Sequence, residues 1–160
     1  MKYLTDVEIG IKSYLEATNQ PYEFDKEKGK FMFSMDINSK IKKLDYYIFL
    51  TDEGYCIVAD FDLKITEETS EALAMYLHRI NYYSYYGSFV LNHNKNQVYC
   101  QNFTNCIGLI PTQKMIAESI LSIKELIEKF GDIIADVSEG NNPSEEYFEK
   151  LLNEELEKEY

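Results

Sequence analysis

With one arginine, three cysteines, two histidines and no tryptophan among 160 residues, the chain lacks the means for several kinds of function. A lone Arg79 cannot supply the repeated bidentate forks that read guanine or clamp phosphate. The lysines are scattered, several of them near turns (Lys26, Lys28 and Lys30; Lys40, Lys42 and Lys43), and the formal net charge is -12 with a pI near 4.6. Nucleic-acid binding draws its affinity from neutralised phosphates, so a chain of this charge is not expected to bind nucleic acid. The cysteines are odd in number and form no CxxC pair, which argues for reduced thiols and against a disulfide scaffold. No window approaches 18 uninterrupted apolar residues, and Met1-Lys2-Tyr3-Leu4 runs directly into Thr5-Asp6. Neither a signal peptide nor a membrane span is expected, and a cytoplasmic location follows as the default.

What is present suits one domain with a packed core. A chain of this length buries about 70% of the surface exposed by its unfolded form, and tyrosine and phenylalanine supply the whole 14% aromatic content. Thr5-Asp6-Val7-Glu8 reads as a capping box opening a first helix, with Val7, Ile11 and Leu15 on one stripe and Asn19-Gln20-Pro21 ending it. From Tyr22 to Phe61 the apolar period falls to two, the pattern of strands joined by short turns. Phe31, Phe33, Met35 and Ile37 share one strand face. Between Leu44 and Thr51, Tyr46, Ile48 and Leu50 alternate with Tyr47 and Phe49, so both faces are apolar and a central strand is expected. Asp52-Glu53-Gly54 is then a hairpin turn, with Gly54 expected at positive φ.

A second helix is predicted from the Thr66 cap to about Tyr83, and it is apolar on two sides. Leu73, Leu77 and Ile80 form one face; Ala72, Met75, Tyr76 and Tyr83 form another. A strand hairpin follows, with Phe89 and Leu91 before the His93-Asn94-Lys95-Asn96 turn and Val98, Tyr99 and Phe103 after it. Pro111-Thr112 opens a long helix whose stripe from Ile116 to Val137 is broad enough to favour packing on a sheet over a coiled-coil seam. Beyond the Gly140-Asn141-Asn142-Pro143 break, Ser144 caps a short helix carrying Phe148, Leu151, Leu152 and Leu156. The stretch from residue 139 to the end holds eight acidic and two basic residues. The expected organisation is a single α+β domain over residues 1–140, an antiparallel sheet with helices in the order α-β-β-β-α-β-β-α, and an acidic helical appendage over 141–160.

Candidate chemistry is sparse. Cys56, Cys100, Cys106, His78 and His93 form neither a CxxC nor an HExxH pair, so no metal and no cofactor are expected. Cys56 and Cys100 fall within predicted strands, where cysteine serves as a small core residue. Asp60 and Asp62 have a spacing that can serve acid/base or Mg²⁺ chemistry, yet no phosphate loop accompanies them, and solvated strand-end carboxylates are the preferred reading. Asn102-Phe103-Thr104 matches a glycosylation sequon without a secretory context. The tyrosines of Tyr82-Tyr83-Ser84-Tyr85-Tyr86 present rigid apolar area with a polar tip, a chemistry enriched at interfaces.

Taken in order, Leu77-His78-Arg79-Ile80-Asn81-Tyr82, Gly87-Ser88-Phe89-Val90-Leu91 and Gln97-Val98-Tyr99 resemble the YbjN family of bacterial proteins, over roughly residues 5–140. That family is similar in fold to type III secretion chaperones and is loosely labelled as sensory transduction regulators. The resemblance implies a non-enzymatic, often dimeric, protein-binding domain. The expectation is a chaperone-like or regulatory homodimer that binds an unidentified protein or peptide and has no catalytic residues. Ala72, Met75, Tyr76, Arg79 and Tyr83 are the expected dimer or partner contacts, because the second apolar face of their helix requires a cover. Two alternatives stand beside it: a small-molecule enzyme built on Asp60 and Asp62 or on a cysteine, and a structural subunit of a larger complex.

Overall fold

The computed structural model describes residues 2–157. Its elements run α1 (Thr5–Ala17), β1 (Glu23–Asp25), β2 (Lys30–Asp36), β3 (Lys43–Leu50), β4 (Gly54–Asp60), α2 (Glu67–Tyr83), β5 (Ser88–Asn92), β6 (Gln97–Asn105), α3 (Gln113–Ser138) and α4 (Glu145–Glu157). The fold is α+β, as the alternation of periods predicted. All six strands join one antiparallel sheet in the order β1-β2-β3-β4-β6-β5. β3 is an inner strand, paired with β2 on one side and β4 on the other.

One sheet face carries the core. Phe31, Phe33, Leu44, Tyr46, Ile48, Leu50, Tyr55, Ile57, Ala59, Val98 and Cys100 point into it and are buried. The helices answer with Val7, Ile11 and Leu15 from α1, Leu73, Leu77 and Ile80 from α2, and a row from Ile116 to Val137 on α3. The broad apolar stripe of α3 therefore lies on the sheet. Its entry is capped by Thr112, whose Oγ1 accepts the Met115 N–H at 3.2 Å. The two largest buried polar side chains are satisfied: Tyr46 Oη donates to the Ile120 carbonyl at 3.0 Å, and Tyr55 Oη meets Ser119 Oγ at 2.9 Å.

Two local expectations are corrected. The helix of Thr5 starts from Leu4 and no capping box forms; Glu8 instead accepts from Lys12 Nζ one turn on, at 2.7 Å. Gly54 does not adopt positive φ. Its lack of a side chain serves close approach, since a Cβ there would sit 2.0 Å from the Thr104 carbonyl oxygen of β6.

The segment expected to be an appendage is docked. Phe148 and Leu152 of α4 are fully buried. The Phe148 ring stands edge-on to Tyr76 of α2 at 4.9 Å and to Phe130 of α3 at 6.5 Å. Around this apolar contact, Lys129 reaches Glu155 at 2.8 Å with both side chains mostly buried, and Arg79 pairs with Glu145 and Glu149. Residues 158–160 of the expected appendage lie outside the described residues.

Candidate protein-interaction surface

Alternation along a strand sends every second side chain away from the core, and here a group of those side chains in the middle of the sheet is apolar. β2 contributes Met32, β3 Tyr47 and Phe49, β4 Cys56 and Val58, β6 Tyr99 and Phe103, and β5 Val90 to the outer face. The register places them side by side. Met32, Tyr47 and Val58 follow one another across β2, β3 and β4, while Phe49, Cys56 and Phe103 follow one another across β3, β4 and β6. Tyr47 and Phe49 have ring centroids 6.5 Å apart. Phe49 is 39% exposed and Phe103 52%. Among the described residues no helix covers this belt, so the apolar second face of β3 expected from the sequence exists and is open.

The belt has a charged margin. Lys30 Nζ lies 5.8 Å from the Tyr47 ring centroid, and Lys43 lies 3.3 Å from Asp45. Asp45 and Asp60 stand opposite each other in the β3–β4 register. Asp45 accepts from Ser34 Oγ at 2.6 Å; Asp60 accepts through Oδ2 from Gln97 Nε2 at 2.5 Å, while its Oδ1 is buried without a partner. Asp62 is exposed just beyond the strand. The two carboxylates singled out in the sequence thus share a depression of about 330 Å³ with Asp45, Lys95 and Asn96.

The cysteines do not converge. Cys100 is fully buried in the core, and burial pushes its thiol up to about 12. Cys56 is half-buried on the outer face and Cys106 is buried at the end of β6; desolvation raises both thiols as well. A thiolate is the nucleophilic form, so these environments work against cysteine catalysis. His78 and His93 are exposed, and among the described residues no group of three metal-ligating side chains is assembled.

The residues expected at a dimer contact divide. Tyr76 and Arg79 are engaged by α4 of the same chain: Tyr76 packs on Phe148, and the Arg79 guanidinium lies 4.7 Å over the Phe148 ring while it pairs with Glu145. For these two the cover sought from a second chain is supplied in cis. Met75 is 61% exposed, with Ala72 and Tyr83 half-buried beside it. Sequence reasoning missed α4 as the cover because charge dominates that helix; the signal was Phe148 and Leu152, four residues apart on one face.

The Asn81 segment, on which the expected resemblance rests, has a physical role in the fold. The Asn81 side chain at the end of α2 bonds both main-chain groups of Phe89, donating Nδ2 to the carbonyl at 2.8 Å and accepting the N–H on Oδ1 at 2.7 Å. A primary amide thereby imitates a neighbouring strand along the outer edge of β5. Compared with protein-family models, curated proteins and solved structures, the chain has no match in any of the three. Among the described residues no helix is long and apolar enough to cross a membrane.

Proposed function

We propose that the chain is a non-enzymatic protein-binding module, chaperone-like or regulatory in role and homodimeric. The observation that carries this reading is the uncovered sheet face with its contiguous belt of Met32, Tyr47, Phe49, Val58 and Phe103. Large apolar side chains grouped on a surface and rimmed by charge are characteristic of protein contacts. Acidic character over the whole chain suits a partner segment that is basic or amphipathic. Self-association is assigned to the part of α2 that α4 leaves open, around Met75.

Two measurements test the proposal. Affinity capture from the native lysate is expected to retain a reproducible stoichiometric partner on the parent and to lose it on Phe49→Lys, whose side chain lies outside the core. Equal capture by both proteins overturns the assignment to the sheet face. Light scattering is expected to report a dimer for the parent and a folded monomer for Met75→Glu, which places two like charges at a two-fold contact. A parent that stays monomeric at high micromolar concentration overturns the homodimer.

A further inference from the structure

β6 is nine residues long, and β5 covers only part of it. The β5–β6 register ends at Ser88↔Gln101, leaving Asn102, Phe103, Thr104 and Asn105 paired with β4 on one side and, among the described residues, with no strand on the other. The direction of their main-chain groups follows from neighbouring bonds. Cys106 donates its N–H to the Glu53 carbonyl on the β4 side at 2.8 Å. Main-chain groups alternate sides along an antiparallel strand, so those of Thr104 also address β4, and those of Phe103 and Asn105 address the open edge. Phase at the other end agrees: Phe89 bonds Asn81 on its outer side, which turns Ser88 towards Gln101. Among the described residues no hydrogen bond reaches the main chain of Phe103 or Asn105 on that edge.

The other edges of the sheet are each blunted in part. Asn81 occupies Phe89 on the outer side of β5. At the opposite end β1 is only three residues long and follows Pro21, and Gln20 Nε2 caps the Ser34 carbonyl at 3.2 Å where β2 runs past it. Short edges, prolines and side-chain caps are the usual defences against unwanted strand pairing. Among the described residues the overhang of β6 has none of them. Beside it lies a depression of about 380 Å³ whose lining includes Tyr86, Asn102, Phe103, Met115, Glu118 and Ser119. Asn102 donates to the Ser119 carbonyl at 2.8 Å and to that of Tyr86 at 3.2 Å, which leaves its buried Oδ1 without a partner there.

We infer that this notch accepts an extended segment of a partner protein, which adds to the Phe103–Asn105 edge of β6 as a strand in line with β5. The inference rests on the protein-binding reading above and gives it a second contact at a defined place. A peptide main chain is the ligand that offers donors and acceptors alternating at the spacing of Phe103 and Asn105. Its side chains would alternate between the Phe103 ring on the outer sheet face and the Met115 and Ser119 side of the depression. The Asp52-Glu53 turn at the start of β4 makes the surroundings acidic, and Glu118, ion-paired with Lys114 at 3.6 Å, adds no net charge, so the segment is apolar at alternate positions and carries lysine or arginine between them. A second copy of this chain would bring the same acidic groups against themselves.

The test uses the full-length ¹⁵N-labelled protein and a capped synthetic peptide, lysine-valine-threonine-valine-lysine-valine. Its addition is expected to slow amide exchange at Phe103 and Asn105 and at no other strand edge. Single N-methylation along the peptide is expected to weaken binding about fivefold or more at alternate positions, those whose N–H faces β6, and little at the positions between. Replacing the lysines with glutamates is expected to abolish binding. Absence of protection at millimolar peptide, protection at another edge, or equal tolerance of every N-methyl group overturns the inference. Protection of Phe103 and Asn105 that grows with protein concentration alone assigns the notch to a second copy and overturns the partner commitment. If the peptide fails while Phe49→Lys still loses the captured partner, strand addition falls and the sheet-face reading stands; peptide binding with equal capture by Phe49→Lys and parent gives the reverse.

Discussion

Phe148→Ala tests whether α4 is a structural part of the domain or an ornament on it. Phe148 is fully buried between Tyr76 and Phe130, with the Arg79 guanidinium over its ring. Truncating a buried phenylalanine in a rigid core costs about 3–5 kcal/mol. Here the loss has a ceiling, because the chain can release α4 through the exposed Gly140-Asn141-Asn142 linker and keep the sheet and α1 to α3 intact. Because that ceiling operates, the cost falls at the low end of the range. The expected cost is therefore about 3 kcal/mol, or a fall of about 6–12 °C in the thermal midpoint for a chain of this size. Limited proteolysis should cleave the variant in the linker well before the parent. Adding Leu152→Ala should cost little more, since α4 has already left, and a chain ending at Glu139 should still unfold cooperatively. Additive losses from the two substitutions, or a molten truncated chain, would refute the ceiling and make α4 inseparable from the core.

Three further outcomes follow from individual contacts. Asn81→Ala leaves both main-chain groups of Phe89 without their partner and should lower stability by about 1–3 kcal/mol, with heat-induced turbidity from the freed β5 edge; unchanged urea and turbidity curves would contradict this. Arg79 holds the Glu145 carboxyl below its ordinary value near 4.5, so this contribution is complete above that value and is lost as pH falls through the lowered one. The thermal midpoint of the parent should consequently drop more steeply between pH 5 and 3 than that of Arg79→Leu, and parallel curves would remove the ion pair from the account. Cys100, buried and with its thiol raised, should resist an aromatic disulfide reagent at pH 8 until the protein unfolds, and rapid native labelling at that residue would refute its placement.

Element types were legible because period and caps agreed over long stretches. Phe31, Phe33 and Ile37 alternate into the core as the pattern required, and the stripe from Ile116 to Val137 lies on the sheet. Turn geometry was less legible. Gly54 looked like a residue needed for positive φ, yet its requirement is set by Thr104, fifty residues away, and no local signal encodes that contact. The Thr5 box failed for a related reason: Lys12, one turn further on, engages the Glu8 side chain that the box would have used. The cover of α2 was harder still. Two apolar faces on one helix do demand two covers, but the sequence does not say whether the second is another chain or this one. An acidic helix with only two fully buried side chains, Phe148 and Leu152, gave little sign that it was the answer. The Phe103–Asn105 edge was invisible at the level of pattern, because it depends on where the pairing of β5 stops.

The same reasoning about covers bears on β3. A strand apolar on both faces ordinarily lies between two layers, and Tyr46, Ile48 and Leu50 have theirs in the helices. Tyr47 and Phe49 have none among the described residues, and each stands in an apolar row of three, Met32–Tyr47–Val58 and Phe49–Cys56–Phe103, the two rows together touching four strands. Scattered exposed apolar residues need no explanation, but a row in register is different, since neighbouring side chains already shield one another and desolvate together when a partner approaches. Each large side chain that passes from half-exposed to buried returns a fraction of the about 1.5–3 kcal/mol available for full burial. A partner layer over this row would thus gain several kcal/mol without any change in the fold. Asn81 and Gln20 occupy main-chain groups on the outer sides of β5 and β2, and Pro21 precedes the short β1, so chance pairing is hindered at those points while the face and the β6 notch stay accessible.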